Sequence, residues 1–395
     1  MAFVALATIL LGYLAKLPCA ADGWSVSQAN LIRLCYSDIG ALYYWRGLID
    51  GIIPYIEQGG DGYIEYPVMT GIIMWITSAL THALQGSSNG LTLFVFLTWL
   101  SSAAFMLAAV LVTRRIKSTN HSAAWWLALS PAVFFTLGIN WDSAAVLAML
   151  VALWAWQQGR YELAGMAVGL GISAKLFPAL LLVVFAIDSF KNQRIRDFIR
   201  TAYVSIGIWL VFNLPFALVN FEGWSHFYTF SRERGIDFGS PYLALAYTEA
   251  LGSPWTSTSV ANAISAVAMV AAVVVIFWRR ESLDIFSMSL ILVAVFCLFN
   301  KVYSPQYWLW LSPLVALCFN SLKTWIAWNA MQTVYFIAVW RFILHGDKSY
   351  LGGGAIDEPT YALAIILMWV TTAALVIAKF FRRDQPQPAH DLSHL

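Results

Sequence analysis

Apolar segments separated by short polar stretches dominate this sequence. They cover residues 2–17, 67–84, 91–113, 123–139, 143–157, 163–174, 176–188, 199–219, 258–278, 284–299, 304–320, 323–340 and 358–379. Of the 395 residues, 60% are hydrophobic and 11% are charged, whereas about 25% are charged in a typical soluble domain. Because a lipid-exposed segment must satisfy its backbone hydrogen bonds internally, repeated apolar segments imply helices. The sequence therefore predicts an all-α polytopic membrane protein.

The lengths of these segments indicate a helical bundle that surrounds a cavity. Several segments are shorter than the roughly 20 residues of a simple span. We expect breaks at Asn140-Trp141-Asp142 and near Lys175, because irregular backbone at membrane depth is tolerated where protein or water covers it. The glycines from Gly165 to Gly171 lie in an apolar segment, which favours close helix packing over a nucleotide-binding loop.

Clusters of basic residues predict the orientation in the membrane, because such clusters favour the cytoplasmic side. They are Arg114 to Lys117, Lys191 to Arg200, Arg279-Arg280 and Arg382-Arg383. Counting spans between them places residues 85–90 and the loop 220–257 outside, and the loop 19–66 is also outside if residues 2–17 span from the cytoplasm. Both ends of 67–84 then lie outside, so we expect a juxtamembrane or re-entrant helix there. The result is about 12 transmembrane helices with both termini inside; the alternative has 13 spans and an external N-terminus.

The expected organisation is one integral membrane domain over residues 1–383. It includes a first outer loop with juxtamembrane helices at 19–90 and a second large outer loop at 220–257. Residues 384–395 are polar and contain proline, which predicts a disordered cytoplasmic tail. No basic stretch precedes residues 2–17 and further apolar segments follow, so we interpret them as an uncleaved first helix.

The four cysteines match no metal-binding spacing. Cys297 and Cys318 lie in apolar segments, where we expect them to be inert. Cys19 and Cys35 flank one outer stretch, and a disulfide between them is the less favoured of the two possibilities.

The first outer loop carries the candidate catalytic residue, Asp38, within Cys35-Tyr36-Ser37-Asp38-Ile39. A carboxylate at the mouth of a membrane protein is costly unless it is paired or functional. Carboxylates bind sugar hydroxyls and aromatic rings stack on sugar faces, so this loop suits a carbohydrate. The candidate sugar- or acceptor-binding residues are Glu65, Tyr36, Tyr66, Tyr44 and Trp141. The alternative is a solvated loop with interfacial aromatic anchors.

Several cations at the outer ends of apolar segments are candidate phosphate ligands. They are Lys175, Lys301, Arg232, Arg234 and His226. Each has a simpler alternative: the two arginines flank Glu233 and could pair with it, while the lysines could snorkel or anchor at the interface. For Asp142 we expect a structural role at the start of a helix.

Other classes of function find no support in the sequence. It contains no P-loop, Rossmann fingerprint or HExxH motif, which argues against ATP and a soluble nucleotide-sugar donor. The net charge of +2 gives no case for nucleic acid. No carboxylate cluster has ligand spacing, so neither a metal nor another cofactor is expected.

Five stretches together resemble the actinobacterial glycosyltransferases of family eighty-seven. They are Cys35 to Ile39, Glu65-Tyr66-Pro67-Val68-Met69-Thr70-Gly71, Asn140-Trp141-Asp142, Ala174-Lys175-Leu176-Phe177-Pro178 and Asn300-Lys301-Val302-Tyr303-Ser304-Pro305-Gln306. The resemblance runs from about residue 30 to 320. That family contains polyprenyl-phosphate-mannose-dependent mannosyltransferases of phosphatidylinositol-mannoside and lipomannan synthesis, and also arabinofuranosyltransferases.

The resemblance implies a GT-C fold with Asp38 as general base. The implied reaction is inverting transfer of mannose from a polyprenyl-phosphate donor to a lipid-anchored glycan acceptor. It implies an active site on the outer face of the plasma membrane, in contact with membrane lipids. The oligomeric state, the acceptor and the linkage stay open. The alternatives are an arabinofuranosyltransferase, a lipid-linked-sugar flippase, for which no internal repeat is found, and a non-catalytic scaffold.

Overall fold

The computed structural model describes residues 1–24, 27–85, 90–248, 257–345 and 354–381. Within these ranges the regular structure is α-helical with short 3-10 helices, and the prediction of an all-α protein is confirmed. The predicted tail at 384–395 and the Arg382-Arg383 cluster lie outside the described residues.

Most helices coincide with the apolar segments, and four further described helices lie in the predicted outer loops 19–66 and 220–257. The helices are α1 (Ala2–Lys16), α2 (Gln28–Ile32), α3 (Asp38–Trp45), α4 (Val68–Gln85), α5 (Leu91–Thr113), α6 (Ala123–Ala128), α7 (Pro131–Thr136), α8 (Ser143–Gln157), α9 (Tyr161–Ala174), α10 (Leu180–Lys191), α11 (Ile195–Val219), α12 (Phe221–Glu233), α13 (Pro241–Tyr247), α14 (Thr258–Trp278), α15 (Ile285–Phe299), α16 (Tyr307–Cys318), α17 (Leu322–His345) and α18 (Glu358–Phe381).

Six of the described helical segments are long and apolar enough to cross a membrane. They are Ala2–Asp22, which extends α1, and helices α4, α5, α11, α14 and α18. Shorter apolar helices, including α8, α9, α15 and α16, accompany them. The predicted helix at 67–84 is present as α4. Its length and hydropathy also fit a span, so its juxtamembrane position stays a prediction, as does the total of 12 spans.

Both predicted breaks are present. Helix α7 ends at Thr136 and α8 begins at Ser143, while α9 ends at Ala174. Lys175 has extended backbone angles (φ −161°, ψ 150°), and a short 3-10 helix containing Pro178 follows before α10. The predicted single segment at 123–139 is instead two helices, because Ser130 caps a new helix that starts at Pro131.

Helix α15 forms the centre of the bundle. Almost all of its residues are buried, and it packs against α10, α14, α16 and α18. A helix that is apolar on every side can be accommodated in such a buried position. Its C-terminal end leads through Asn300 into Lys301, so a buried helix positions one of the candidate cations.

Two glycines explain how closely α9 approaches α11. A Cβ atom on Gly165 would lie 2.5 Å from the carbonyl oxygen of Thr201, and one on Gly169 would lie 2.6 Å from that of Ser205. Only glycine fits at such distances, which confirms the prediction that these residues serve helix packing. Helix α9 in turn fixes Lys175 at its end.

The first outer loop folds over the start of α5 and is closed by a disulfide between Cys19 and Cys35. The expectation of free thiols was wrong. A 3-10 helix at Leu17–Asp22 turns the chain back after α1 and brings the two Cα atoms to 6.0 Å, within the range for a disulfide. The bond ties the segment that carries Asp38 to the end of α1.

We expect the double variant Cys19→Ser/Cys35→Ser to be less stable by about 3 kcal/mol, the value for closing a loop of this size. The activity that the family resemblance implies should also fall, because Cys35 lies three residues before Asp38 and holds that segment. Thermal unfolding in detergent and an activity assay measure the two effects, with Cys318→Ala as a control that leaves the bridge intact. Unfolding of the double variant at the wild-type temperature would contradict a stabilising disulfide.

Candidate active site

A cavity of about 810 Å³ lies between the first outer loop, the break at Lys175, α12, the connection from α15 to α16, and α17. Most of the predicted site residues meet there, although the sequence spreads them over more than 260 positions. The predicted residues that line it are Asp38, Tyr36, Glu65, Tyr66, Lys175, Lys301 and Arg234. The break at Lys175 therefore does border a cavity, as its position in the sequence indicated.

The other four predicted residues lie away from this cavity. Arg232 is exposed, and His226 lies near the rings of Tyr63 in the first outer loop and Phe230 on α12. Tyr44 is 48% exposed on the outer side of α3. Trp141 is buried and packs edge-to-face on Tyr66 with ring centroids 5.5 Å apart, so it supports the cavity wall from behind.

Backbone contacts fix the position of Asp38. It is the first residue of α3, after Ser37 at the N-cap. The Asp38 N–H donates to the carbonyl oxygen of Ile139 at 2.9 Å, and the Ser37 hydroxyl donates to that of Gly138 at 2.8 Å. The catalytic segment is thereby joined to the turn between α7 and α8.

The carboxylate of Asp38 accepts two hydrogen bonds from tyrosines. The Tyr36 hydroxyl lies 2.7 Å from Oδ1 and the Tyr66 hydroxyl 3.2 Å from Oδ2. Burial raises the pKa of Asp38 above its ordinary value; the two hydrogen bonds and the charge of Lys175 oppose this shift. The charge of Asp38 and burial raise the pKa of Tyr36, so that hydroxyl stays a donor. The result is a positioned carboxylate with increased basicity, which suits a general base.

Lys175 points into the cavity and is held on its inner side by Asp142. The ammonium lies 2.9 Å from Asp142 Oδ1 and 4.5 Å from the ring centroid of Tyr66. Asp142 Oδ2 accepts a hydrogen bond from the Trp310 indole at 2.8 Å. The expected structural role of Asp142 needs correction: it precedes α8, but its side chain makes no capping bond there. A buried ammonium needs a counterion, and Asp142 supplies it.

A second cationic group borders the cavity near the end of α12. Arg234 donates from Nε and Nη2 to Asp237 Oδ2 at 3.0 and 2.6 Å, so it pairs with Asp237 and not with Glu233. The Lys301 ammonium donates to the Arg232 carbonyl oxygen at 2.9 Å. Loss of solvation and the charge of Arg234 lower the pKa of Lys301. Arg232 thus contributes its backbone and not its guanidinium.

The remaining wall is aromatic and polar. Glu65 faces the cavity and forms an ion pair with Arg46 at 2.6 Å. Trp45 and Trp340 present rings to the cavity, and the Tyr36 ring packs on Trp340 with centroids 4.8 Å apart. Rings of this kind can stack on a sugar.

Sequence reasoning missed several cavity residues. Gln306 belongs to one of the quoted stretches, and Tyr307 and Trp310 follow it on the first turn of α16. Their signal was their position next to Lys301. For Trp340, far along α17, the sequence offered no signal, because an aromatic residue in an apolar helix is ordinary.

Of the carboxylates that line the cavity, Glu65 and Asp237 each pair with an arginine, whereas Asp38 accepts hydrogen bonds from two tyrosines. Over the described part of the chain, no group of three or more His, Cys, Asp or Glu residues could hold a metal ion. A lone base facing cations suits transfer of a group that leaves as an anion. These features are compatible with a transferase whose site lies among apolar helices.

The model of glycosyltransferase family 87 matches residues 63–300, more than half of the chain. The protein belongs to this family, and the family resemblance drawn from its motifs is confirmed.

Characterised proteins with detectable similarity cover the chain only in part. Undecaprenyl phosphate-alpha-4-amino-4-deoxy-L-arabinose arabinosyl transferase of Yersinia pestis (strain Pestoides F) is 29% identical over 202 residues, which are 46% of this chain and 34% of that protein. The enzyme of the same name from Serratia proteamaculans (strain 568) is 27% identical over 202 residues, with the same shares of the two chains. The matched region spans about a third of these relatives.

One solved structure resembles the protein at low similarity. The crystal structure of ArnT from Cupriavidus metallidurans bound to undecaprenyl phosphate matches 85% of this chain and 71% of that chain. The sequence identity is 16% and the TM-score 0.45. Mannose as the sugar and an actinobacterial origin stay predictions.

Proposed function

We propose that the protein transfers a sugar from a polyprenyl-phosphate donor to a hydroxyl of a lipid-anchored glycan, with Asp38 as general base. The observation that carries the proposal is the placement of Asp38 in a cavity that also exposes Lys175, Arg234 and Lys301. The names of the curated relatives, which contain undecaprenyl phosphate, support this class of donor. Family membership favours the enzyme over a flippase or a scaffold.

In the proposed reaction, an acceptor hydroxyl oxygen attacks the anomeric carbon of the donor sugar. Asp38 accepts the hydroxyl proton as the new glycosidic bond forms. The bond from the anomeric carbon to the phosphate oxygen breaks, and polyprenyl phosphate leaves with the electron pair. Because phosphate leaves as a stable anion, a second carboxyl group is not needed as an acid, unlike in glycoside hydrolysis. A single displacement inverts the anomeric centre and converts a β-linked donor into an α-linked product.

In this proposal the cations contribute unequally to binding the donor phosphate. Lys175 ranks first, because its charge acts on Asp38 and its ammonium stands over the Tyr66 ring beside it. Lys175 and Arg234 each pair with an aspartate, Asp142 and Asp237, and Lys301 is held by a neutral carbonyl group. Cations in these positions would stabilise the negative charge that grows on the leaving phosphate. His226 and the Arg232 side chain are not part of this group.

The sugar-binding role falls to the wall around Asp38. Glu65, Tyr36 and Tyr66 offer polar groups to sugar hydroxyls, and Trp45 offers a stacking face. Tyr44 is not assigned to sugar binding because it does not line the cavity, and Trp141 contributes only by packing on Tyr66. We propose mannose as the sugar, transferred on the outer face of the plasma membrane. The relatives that transfer 4-amino-4-deoxy-L-arabinose support arabinose as the second candidate.

We expect purified protein to transfer label from polyprenyl-phosphate-mannose to a lipid glycan acceptor and to release polyprenyl phosphate in equal amount. The product should carry an α-linkage, which digestion with linkage-specific mannosidases tests. Asp38→Asn protein serves as the control, and polyprenyl-phosphate-arabinofuranose as the competing donor.

Transfer from the arabinose donor alone would overturn the sugar and leave the reaction class standing. An absence of transfer from both donors by well-folded protein would contradict the proposed class. A flipping assay with the same lipids in sealed vesicles would then test the transporter alternative.

A further inference from the structure

Asp142 lies directly behind the cavity wall and does not reach the cavity itself. It is 2% exposed, and its carboxylate contacts the side chains of Lys175 and Trp310, both of which line the cavity. Its backbone N–H donates to the side-chain oxygen of Asn140 at 3.1 Å, which fixes the turn on which it sits. Asp142 can therefore affect a substrate through these two residues, and its charge also contributes to the raised pKa of Asp38.

Asp142 is at the N-cap position of α8, but its carboxylate does not cap the helix. A residue just before a helix commonly accepts a hydrogen bond from the first turn, but this side chain turns away from α8. Both of its oxygens are directed at the site: one at the Lys175 ammonium and the other at the Trp310 indole N–H. A buried carboxylate is costly unless paired, so this arrangement requires the positive charge of Lys175.

The same contacts determine where Lys175 can point. Its ammonium is fixed by Asp142 at 2.9 Å and lies 4.5 and 5.9 Å from the ring centroids of Tyr66 and Trp310. Tyr66 also donates to Asp38. Asp142 therefore holds the Lys175 ammonium between the rings of Tyr66 and Trp310. Tyr66 is also the residue that donates a hydrogen bond to the base.

We propose that Asp142 is a positioning residue that holds Lys175 and Trp310 in place for the phosphate of the donor. Without it, the flexible four-carbon chain of Lys175 would sample other directions in an open cavity. This inference rests on the proposed function, because the donor phosphate is what Lys175 would meet. It assigns to Asp142 no contact with the substrate and no proton transfer.

A double-mutant cycle tests the inference with Asp142→Asn, Lys175→Met and the combination. The amide keeps an oxygen for the Trp310 indole and removes the charge. We expect Asp142→Asn to lower kcat/KM for the donor roughly 10- to 100-fold, the loss common when a group that orients a ligand is removed. In the Lys175→Met background the same change should cost nothing further, since the group it positions is absent.

A second buried aspartate provides a matched control. Asp188 accepts a hydrogen bond from the Trp156 indole at 2.8 Å and pairs with Arg194 at 2.8 Å, on the α10–α11 side and away from the cavity. Asp188→Asn removes the same type of contact, so it should lower the unfolding temperature while donor KM and kcat stay at wild-type values. Asp142→Glu, which keeps the charge, should retain more activity than Asp142→Asn.

Two results would overturn the inference. One is wild-type donor kinetics in folded Asp142→Asn protein. The other is a double variant whose loss of kcat/KM for the donor equals the product of the losses in the two single variants. Binding of sugar-free polyprenyl phosphate, measured by displacement of a labelled analogue, gives the same comparison without turnover. If wild-type protein transfers no sugar, the proposed function is contradicted. If wild-type protein is active and the losses from Asp142→Asn and Lys175→Met multiply, only the role of Asp142 is contradicted.

Discussion

Replacing Asp38 with asparagine should lower the rate of sugar transfer roughly 100- to 10,000-fold, the range for removing a general base. The amide has nearly the same shape and can still bond to Tyr36 and Tyr66, but it cannot take the proton of the acceptor hydroxyl. Initial rates at saturating donor and acceptor measure the effect on the chemical step. Asp50→Asn is the matched control, because Asp50 lies exposed in the same loop and does not line the cavity. Near wild-type turnover by Asp38→Asn protein would contradict the role of Asp38 as general base.

The pH dependence of the rate gives a second measure of the same residue. Since burial holds the pKa of Asp38 above its ordinary value, the wild-type rate should increase with pH through that higher pKa. Asp38→Asn protein should lack this acidic limb. If the limb persists in the residual activity of the variant, it belongs to another group.

The same pKa shift predicts how stability responds. A carboxyl group whose pKa is higher in the folded state favours folding while protonated and loses this contribution as pH rises through the folded pKa. At neutral pH the permanently neutral asparagine should therefore unfold at a temperature no lower than wild type. Near pH 4 the difference in unfolding temperature should shrink. Lower stability of the variant at neutral pH would indicate that the ionised carboxylate has a structural role.

The sequence predicted much of this site because charge is rare in an apolar chain. Asp38, Lys175 and Lys301 each interrupt or border apolar segments, where a charge without a purpose is costly. The break at Lys175 was visible as an interrupted apolar run followed by proline. These signals are local, and the structure brings the three residues to one cavity.

What the sequence could not provide was the direction of each side chain. Arg232 and Arg234 are two positions apart at the end of α12, where such residues face different sides, and only Arg234 reaches the cavity. Composition cannot distinguish them. Likewise, a spacing of 16 between Cys19 and Cys35 says nothing of the turn that brings them together. The sequence suggested a helix cap for Asp142 because its position before a helix is a local signal. Its actual partners, Lys175 and Trp310, come from distant segments.

Replacing Lys175 with methionine should lower transfer about 100- to 1,000-fold, the loss typical of removing one group that stabilises a developing negative charge. Methionine keeps an unbranched apolar chain of similar length in the wall, so the change removes mainly the charge. The loss should appear in the kinetics of the donor, whose phosphate the ammonium would contact, and much less in acceptor KM. Lys323→Met, at an exposed position on α17, is the control for loss of a lysine.

The Lys175→Met variant should also be less stable, by about 3–5 kcal/mol, because Asp142 would keep a buried charge without its partner. This loss is separable from the loss of activity. Adding Asp142→Asn removes the unpaired charge, so thermal unfolding of the double variant should return toward wild type while transfer stays low. Recovery of transfer together with stability would mean that Lys175 serves the fold alone, and the donor phosphate would then have to be held by Arg234 and Lys301 at the opposite wall of the cavity.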